Sequence, residues 1–312
     1  MFDVVRRWHP LSQKFFSITI SHSLNTLMTT FNLVVQSPAL ASDLIEQAAA
    51  LSEASGVQRI STTAARLLKV NDSESARAEL RAWGERVSVD TAYIATGSRL
   101  ADCKVLAMDM DSTLINIECI DEIAAFGGVK EQVASITEAA MRGEIKDFSD
   151  SLTRRVAFLK GLSVEVLQQV YDQKLRFNPG AEQLVSTAQQ AGIKVLLVSG
   201  GFTFFTEKLK ARLNLDAAHA NVLDQEHGLL TGKVTGRILD AQVKADTLTA
   251  FAQALGAQAN QIIAIGDGAN DLKMLGLAGY SVAYRAKPVV RAQANYALNF
   301  AGLDGVLNWF ET

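Results

Sequence analysis

Four short runs of apolar, often β-branched residues constrain the fold of this chain more than any other feature. They are Lys104 to Met108, Ile193 to Val198, Gln261 to Ile265 and Tyr280 to Tyr284, and stretches with helical periodicity separate them. Strands that are apolar on both faces are typical of a parallel sheet with helices packed on each side. The sequence therefore predicts a doubly wound α/β domain over residues 101–312.

Three of these runs end in polar residues. Asp109 follows the first run, Ser199 and Gly200 follow the second, and Gly266 and Asp267 follow the third. In open α/β sheets, ligands bind at the carboxyl ends of the strands. We therefore expect these polar residues to converge on one crevice.

Two segments interrupt the alternation of strands and helices in this domain. Residues 116–178 have helical patterns and almost no strand pattern, which indicates an inserted helical lid. Residues 218–236 alternate in polarity and contain Gly228 and Gly232, which favours a hairpin.

Residues 28–100 predict a separate small α/β domain. Its strands are expected at Phe31–Val35, Val57–Ser61 and Ala92–Thr96, and its helices at Ala41–Ser55 and Ser73–Val87. No polar cluster in this segment resembles a catalytic set, so regulation, dimerisation and packing remain open as its role. Residues 1–27 have no sustained periodicity, and we expect either a loosely ordered leader or a native start at Met28.

Composition excludes several classes of protein. The 30 basic and 33 acidic residues give a net charge of -3, which favours neither a nucleic-acid surface nor an anionic membrane as a partner. No apolar run approaches the roughly 18 residues of a membrane-spanning helix. Two cysteines, Cys103 and Cys119, are too few for a disulfide framework and favour a reducing compartment. We expect a cytoplasmic protein that acts on a small molecule.

The segment Asp109-Met-Asp-Ser-Thr is the sharpest chemical signal. In extended backbone the side chains of Asp109 and Asp111 point to the same side. Two crowded carboxylates are stable when a cation neutralises them or when one stays protonated. The segment Gly266-Asp-Gly-Ala-Asn-Asp adds oxygen ligands of the kind that Mg²⁺ prefers. Turn-forming aspartates that cap the next helix are the alternative for both segments.

Two further features indicate an anion site. Ser199-Gly-Gly is expected to open a helix, where free N–H groups favour an anion, although an N-cap serine is the alternative. Lys244 falls in the first turn of the helix pattern Val243–Leu255, where the helix dipole disfavours a cation. We therefore expect a negative partner beside Lys244, and a lysine that extends into solvent is the alternative.

The predicted lid contains a charge on an apolar helix face. An apolar stripe runs through the helix pattern Phe148 to Leu159, and Arg155 lies on the same face. Functional residues often break such patterns, so Arg155 is expected to meet a carboxylate or a phosphate, while Arg154 points to solvent. Glu118 precedes another lid helix and is alternatively a first-turn acid that stabilises the helix dipole.

Four motifs together resemble the haloacid dehalogenase superfamily. They are Asp109-x-Asp-Ser-Thr-Leu, Ser199-Gly-Gly-Phe, Lys244 and Gly266-Asp-Gly-Ala-Asn-Asp, in this order. The resemblance implies a Rossmann-type sheet and an aspartyl-phosphate mechanism. Asp109 is expected to attack phosphorus, and Asp111 to act as acid and then as base. Mg²⁺ would be held by Asp109, Asp267 and the main-chain carbonyl of Asp111. The residues that would bind the phosphoryl oxygens are Ser199, Gly200 through its amide, and Lys244.

A narrower likeness, to the phosphoserine phosphatases, rests on the lid. Its motifs are Glu118 in Asn116-Ile-Glu-Cys-Ile-Asp-Glu-Ile, Met141 in Thr137-Glu-Ala-Ala-Met-x-Gly, Phe148, and Arg155 in Ser151-Leu-Thr-Arg-Arg-Val. The likeness implies that Glu118 binds the ammonium of phosphoserine, that Arg155 binds its carboxylate, and that Met141 and Phe148 close a dry wall. Asn270 and Asp271 would orient the groups around the metal. The likeness to the family covers residues 104–305.

Other functions remain open at this point. The same sheet-end chemistry serves a phosphatase for another small phosphate ester, a phosphotransferase, and a phospho-acceptor signalling module. The first hundred residues look only loosely like amino-acid-binding regulatory domains, so a binding protein is a further alternative. A homodimer through the first domain or the core is possible.

Overall fold

Two sheets organise the part of the chain that the computed structural model describes, which comprises residues 30–142, 144–145 and 147–311. A four-stranded sheet comes first and a seven-stranded sheet follows. The expected leader at residues 1–27, with the expected start at Met28, lies outside the described residues.

The first sheet is antiparallel, with the strand order β2-β3-β1-β4. Its strands are β1 (Phe31–Gln36), β2 (Gly56–Arg59), β3 (Ala64–Leu68) and β4 (Asp90–Ala95). Its helices are α1 (Ser42–Leu51) and α2 (Glu74–Val87). The five predicted elements are present, and β3 is an additional strand.

Strand β3 escaped prediction because its sequence, Ala64-Ala-Arg-Leu-Leu, consists of strong helix formers. Burial decides its conformation instead, since four of its five residues are buried between β2 and β1. Arg66 on this strand donates to the carbonyls of Asn308 at 3.0 Å and Phe310 at 2.8 Å. The strand therefore also attaches the first sheet to the end of the chain.

The second sheet has the order β11-β10-β9-β5-β6-β7-β8 and is parallel except for β8. Its strands are β5 (Val105–Met108), β6 (Lys194–Phe202), β7 (Ala217–Glu226), β8 (Leu229–Thr235), β9 (Ile262–Gly266), β10 (Tyr280–Tyr284) and β11 (Tyr296–Leu298). The helices are α3 (Cys119–Phe126), α4 (Lys130–Met141), α5 (Phe148–Ala157), α6 (Glu165–Gln173), α7 (Ala181–Gln190), α8 (Thr203–Leu213), α9 (Ala241–Ala254), α10 (Leu272–Leu275) and α11 (Pro288–Arg291).

Both faces of this sheet are buried, as the apolar runs predicted. In the central strand β5, Leu106 and Met108 belong to one apolar cluster, while Val105 and Ala107 belong to another on the opposite face. The doubly wound α/β fold is confirmed.

The helical insertion and the hairpin are also present. Helices α3 to α6 form the lid between β5 and α7, and a bridge between Ile115 and Phe177 brings its two ends together. Strands β7 and β8 form the hairpin, with Gly228 in its turn. Gly232 lies within β8 and not in a turn: it has φ 79°, and a Cβ there would lie 2.9 Å from the Cβ of Lys160 in the lid.

Asp90 joins the first sheet to the second. Its carboxylate accepts hydrogen bonds from the N–H groups of Asn299, Phe300 and Ala301, which follow β11, at 2.7, 3.0 and 2.8 Å. None of the helices in the described part of the chain has the length and apolarity that crossing a membrane requires.

Candidate active site

Three strand ends meet at one edge of the second sheet. β5 lies between β6 and β9 and is parallel to both. The N–H of Asp109, after β5, donates to the carbonyl of Ile265 in β9 at 3.0 Å. Asp109 and Ser199 line one cavity, and Asp267 contributes to an acidic cluster with Asp109. The polar residues that follow the three apolar runs therefore do converge.

The acidic cluster consists of Asp109, Asp267 and Asp271. Each is buried and has a carboxylate oxygen within 4.8 Å of the others. Burial and, to a smaller extent, the charge of Asp271 raise the pKa of Asp109 to about 7. Burial also raises the pKa of Asp267 well above its usual value. Three carboxylates so close together are stable as anions when a cation lies among them, so this cluster can hold a metal ion.

Lys244 supplies one positive charge to this cluster. Its side chain is fully buried, and Nζ donates to Oδ1 of Asp109 and to Oδ1 of Asp271, both at 2.7 Å. Burial lowers the pKa of Lys244, but the charges of Asp109 and Asp271 outweigh that effect and raise the pKa above its usual value. The negative partner expected for Lys244 is present. Helix α9 begins at Ala241, two residues before its predicted start.

Asp271 uses both carboxylate oxygens in hydrogen bonds. Oδ1 accepts from Lys244, and Oδ2 accepts from the N–H groups of Asp267 at 3.2 Å and Gly268 at 3.0 Å. A Cβ at Gly266 would lie 2.5 Å from Cγ of Asp271, so the approach requires glycine there. Asp271 therefore contacts both Lys244 and the loop at Asp267 and Gly268, and these contacts orient the lysine and the loop.

Asp111 lies in the tight turn Met110–Leu114, in which Ser112 has a left-handed backbone with φ 57°. Burial raises the pKa of Asp111 to about 6. Its Oδ1 has no hydrogen-bond partner among the described residues, and a Cβ at Gly201 would lie 2.9 Å from its Oδ2. Asp111 lines the cavity with Asp109. A carboxyl group with such a pKa can both donate and accept a proton near neutral pH.

Glu118 and Arg155 place opposite charges on the lid side of the same cavity. Oε1 of Glu118 accepts a hydrogen bond from Oγ of Ser112 at 2.6 Å, and burial raises the pKa of Glu118 well above its usual value. The buried guanidinium of Arg155 donates to the carbonyl of Ser151 at 3.3 Å and to Oγ1 of Thr137 at 3.1 Å.

No protein carboxylate contacts Arg155 in the described part of the chain. A hydrogen-bonded connection to an acidic residue runs through Thr137, whose hydroxyl donates to Oδ1 of Asp121 at 2.9 Å. The carboxylate or phosphate that the sequence predicts as the partner of Arg155 is not found among the described residues, so that contact stays a prediction. Arg154 is exposed and pairs with Asp150, as expected for a residue on the solvent side.

Phe148 and Asn270 also line the cavity. A Cβ at Gly200 would lie 2.7 Å from Cζ of Phe148, so the ring rests directly on the backbone of Gly200. Met141 is the last residue of α4. Its side chain lies outside what the structure describes, and its role as part of the wall stays a prediction.

The helix that was expected to open at Ser199 begins instead at Thr203, so that expectation was wrong. β6 continues to Phe202, and its pairing with β7 shifts register after Val198. Within this irregular stretch the N–H of Gly201 donates to Oγ of Ser199 at 2.9 Å. Ser199 is therefore held on a bulged strand, and it does not cap a helix.

Two threonines of the site were not singled out from the sequence. Oγ1 of Thr113 donates to Oδ1 of Asp267 at 3.0 Å, and Thr137 connects Arg155 to α3. Both stand inside the recognised motifs, but their partners come from distant segments. Sequence spacing gave no sign of those partners.

The profile of the haloacid dehalogenase-like hydrolases matches residues 103–279, more than half of the chain. The chain belongs to this family. A second profile, of a domain of unknown function (DUF4072), matches residues 33–80 in the first sheet and its helices.

Named members of the hydrolase family resemble this chain closely. The phosphoserine phosphatase of Polaromonas sp. strain JS666 is 55% identical over 213 residues, which are 67% of this chain and 90% of that protein. A hydrolase of the family from Salmonella enterica serovar Typhi has a similar structure, with a TM-score of 0.81, 32% identity, and coverage of 90% of this chain and 99% of that one. A probable phosphoserine phosphatase from Vibrio cholerae has a TM-score of 0.74 and 38% identity, covering 90% and 86%.

Proposed function

We propose that this protein is a Mg²⁺-dependent phosphoserine phosphatase that hydrolyses O-phosphoserine to serine and phosphate. One observation carries the proposal: a cavity with Asp109 and Asp111 on its sheet side has Glu118 and Arg155 on its lid side. Phosphoserine carries an ammonium and a carboxylate at one end and a phosphate at the other. Glu118 and Arg155 complement the ammonium and the carboxylate of this substrate, and the two aspartates lie where its phosphate would react.

Asp109 is the proposed nucleophile. One of its oxygens, Oδ1, is occupied by Lys244, which leaves Oδ2 for an in-line attack on phosphorus. The bond between phosphorus and the seryl oxygen breaks as the bond to Asp109 forms, giving an aspartyl phosphate. Dividing the hydrolysis into two displacements makes each of them easier.

Asp111 is the proposed acid and base. In the first step it gives its proton to the departing seryl oxygen, and in the second it takes a proton from the water that attacks the aspartyl phosphate. Its pKa of about 6 suits both directions near neutral pH. The absence of a hydrogen-bond partner on its Oδ1 among the described residues leaves that oxygen available to the substrate.

The acidic cluster is the proposed Mg²⁺ site, with Asp109, Asp267 and the main-chain carbonyl of Asp111 as ligands. These carboxylates are buried close together and have raised pKa values, so a cation would stabilise their charged form. Their oxygens are the ligands that a hard cation prefers. When bound, the ion supplies positive charge that offsets the repulsion between a carboxylate and a phosphate dianion. Asp271 and Asn270 are proposed to orient these ligands.

Lys244, the Ser199 hydroxyl and the Gly200 amide are the proposed donors to the phosphoryl oxygens. Lys244 already contacts the nucleophile Asp109. Its ammonium is therefore positioned to stabilise the negative charge that develops on the phosphoryl oxygens during the attack. Ser199 is completely buried, and its hydroxyl is oriented by Gly201.

The lid is proposed to select the substrate. Glu118 would bind the ammonium and Arg155 the carboxylate of phosphoserine, with Phe148 and Met141 excluding water above them. A bidentate contact between a guanidinium and a carboxylate is directional, so it discriminates against esters without that carboxylate.

We further propose that residues 28–100 form a domain separate from the phosphatase core at residues 101–312, and that the protein is cytoplasmic. A homodimer through either unit is part of this proposal. Sedimentation of the whole chain tests the oligomeric state, because a sedimentation coefficient of a monomer at micromolar concentration would contradict the dimer.

The experiment that tests the function is a phosphate-release assay on a panel of substrates. Phosphoserine, phosphothreonine, a sugar phosphate and an aryl phosphate are compared with and without Mg²⁺. We expect rapid release from phosphoserine that requires Mg²⁺. Preference for another ester would indicate a different member of the same family, and stable phosphorylation of the protein without turnover would indicate a phospho-acceptor module.

A further inference from the structure

A second cavity lies between the two sheets, and none of its lining residues lines the cavity of the proposed active site. It is a cleft of about 410 Å³ beside the edge strands β4 of the first sheet and β11 of the second. This volume falls in the range of small-molecule sites, about 300–1,000 Å³. The residues of the cleft that matter here are Arg77, Arg81, Glu85, Asp90, Arg291 and Tyr296.

The positive charges of this cleft have few partners. Arg81 has neither an ion pair nor a hydrogen bond among the described residues, and Nε of Arg291 is buried without a hydrogen-bond partner. The closest carboxylate to Arg291 is that of Glu85, at 3.8 Å. A buried N–H without an acceptor is costly, so an acceptor from a ligand would stabilise Arg291.

The third arginine is held in a fixed position. The guanidinium of Arg77 lies 4.8 Å from the centre of the Phe31 ring and 4.4 Å from that of Tyr93. Two aromatic contacts of this kind orient a guanidinium, and the carboxylate of Asp72, 3.8 Å away, is its ion-pair partner. Asp90 forms no ion pair with Arg77, and its oxygens accept hydrogen bonds from three backbone N–H groups.

We propose that this cleft binds a small organic anion, recognised through its carboxylate or phosphate groups by Arg81 and Arg291. Guanidinium groups pair with both kinds of anion in a two-pronged geometry. The proposal concerns a site other than the phosphatase centre and does not depend on the function proposed there.

Helix α11 connects the cleft to the acidic cluster. Its N-cap residue, Lys287, donates its N–H to the main-chain carbonyl of Asp267 at 3.2 Å. Its last residue is Arg291, which lines the cleft. An anion on Arg291 and a ligand of the metal site therefore contact opposite ends of the same four-residue helix.

Calorimetric titration of the whole protein tests this site. The probes are succinate, which carries two carboxylates, and methylphosphonate, which is a phosphate analogue that cannot be hydrolysed. The test variant is Arg81→Ala with Arg291→Ala. The control is Arg86→Ala with Gln293→Ala, since Arg86 lies on α2, Gln293 follows α11 by two residues, and neither lines the cleft. Both double variants alter exposed or half-buried positions, so the fold is retained.

We expect at least one probe to bind the wild type and the control equally, and to bind the test variant at least about tenfold more weakly. Amide hydrogen exchange in residues 287–291 should slow when the probe is added to the wild type and not in the test variant. Equal binding to all three proteins would mean that the anion binds elsewhere and would overturn the proposal. Absence of binding by both probes, or protection confined to other segments, would overturn it too.

Discussion

Nζ of Lys244 lies 2.7 Å from Oδ1 of Asp109, and neither side chain reaches solvent to a significant extent. The same ammonium contacts Asp271, so one positive charge serves two buried carboxylates. This ion pair fixes which oxygen of Asp109 faces the lysine and which remains for a substrate. It also makes the site sensitive to the loss of any one of its charges.

Replacing Asp109 by asparagine should abolish phosphate release while the protein stays folded. The amide cannot form an acyl phosphate, and loss of a nucleophile typically costs at least about 10³-fold in turnover. Release of phosphate from phosphoserine and the circular dichroism spectrum are the two measurements. Asp246→Asn, on the exposed side of α9, is the control and should be fully active. Normal turnover by Asp109→Asn would rule out its role as nucleophile.

Replacing Lys244 by methionine should destabilise the metal-free protein by about 3–5 kcal/mol, because two carboxylates then stay buried without their partner. Urea denaturation in the presence of a chelator measures the free energy of unfolding. Lys273→Met, on the exposed side of α10, should change it by less than about 0.5 kcal/mol. An unchanged unfolding midpoint for Lys244→Met would contradict the energetic role of this ion pair.

Mg²⁺ should bind more tightly as the pH rises from about 5 to about 8. Burial raises the pKa of Asp109 to about 7 in the metal-free protein, so below that pH a proton competes with the metal for the carboxylate. Because this pKa lies above the unfolded value of 3.8, the protonated carboxyl stabilises the metal-free fold, and that stability declines as the pH rises through about 7. Titration calorimetry in two buffers with different heats of ionisation should detect protons released on binding. An affinity independent of pH would be inconsistent with this account.

Arg155→Ala should lose far more activity on phosphoserine than on an aryl phosphate. The variant lacks the proposed partner of the substrate carboxylate, a contact worth about 2–4 kcal/mol, and the aryl ester has no such group. The control is Arg154→Ala, which removes an exposed arginine from the same helix. The ratio of kcat/KM values for the two substrates is the measurement, and an equal loss on both would show that Arg155 has only a structural role.

Gly201→Ala should reduce kcat by about 10²-fold while the protein remains folded. The new methyl group would lie 2.9 Å from Oδ2 of Asp111 and 3.0 Å from Oγ of Ser199, and small displacements of catalytic groups have effects of this size. Gly276→Ala, where the nearest atom is 3.4 Å away, is the matched control. Steady-state kinetics at saturating Mg²⁺ compares the two, and full activity of Gly201→Ala would mean that Asp111 tolerates displacement.

The sequence predicted the second sheet, apart from strand β11, and its acidic edge, because fully apolar runs and the residues after them are local signals. A negative partner for Lys244 was also predictable from a local signal, because a cation in the first turn of a helix is disfavoured by the helix dipole unless an anion lies nearby. Strand β3 was not predictable, because Ala64 to Leu68 favour a helix until tertiary packing buries them between two strands.

Within the site, the residue types were predictable and several of their contacts were not. The bulge that keeps Ser199 on a strand depends on the pairing of β6 with β7, which is formed by residues far away in the sequence. The hydrogen bond from Thr137 to Asp121 depends on how α4 packs against α3. Such contacts are set by the packing of whole elements, and local patterns do not encode them.

The hairpin of β7 and β8 also holds the helix of Arg155 in a fixed position. The lid segment that follows α5 pairs with it, since the N–H of Gly161 donates to Leu230 and the N–H of Leu230 donates to Leu162, both at 2.8 Å. These hydrogen bonds attach the segment after α5, the helix that carries Arg155, to strand β8 of the second sheet. The conformational entropy of positioning the Arg155 guanidinium is lost when the chain folds. It therefore does not reduce the free energy of binding a ligand.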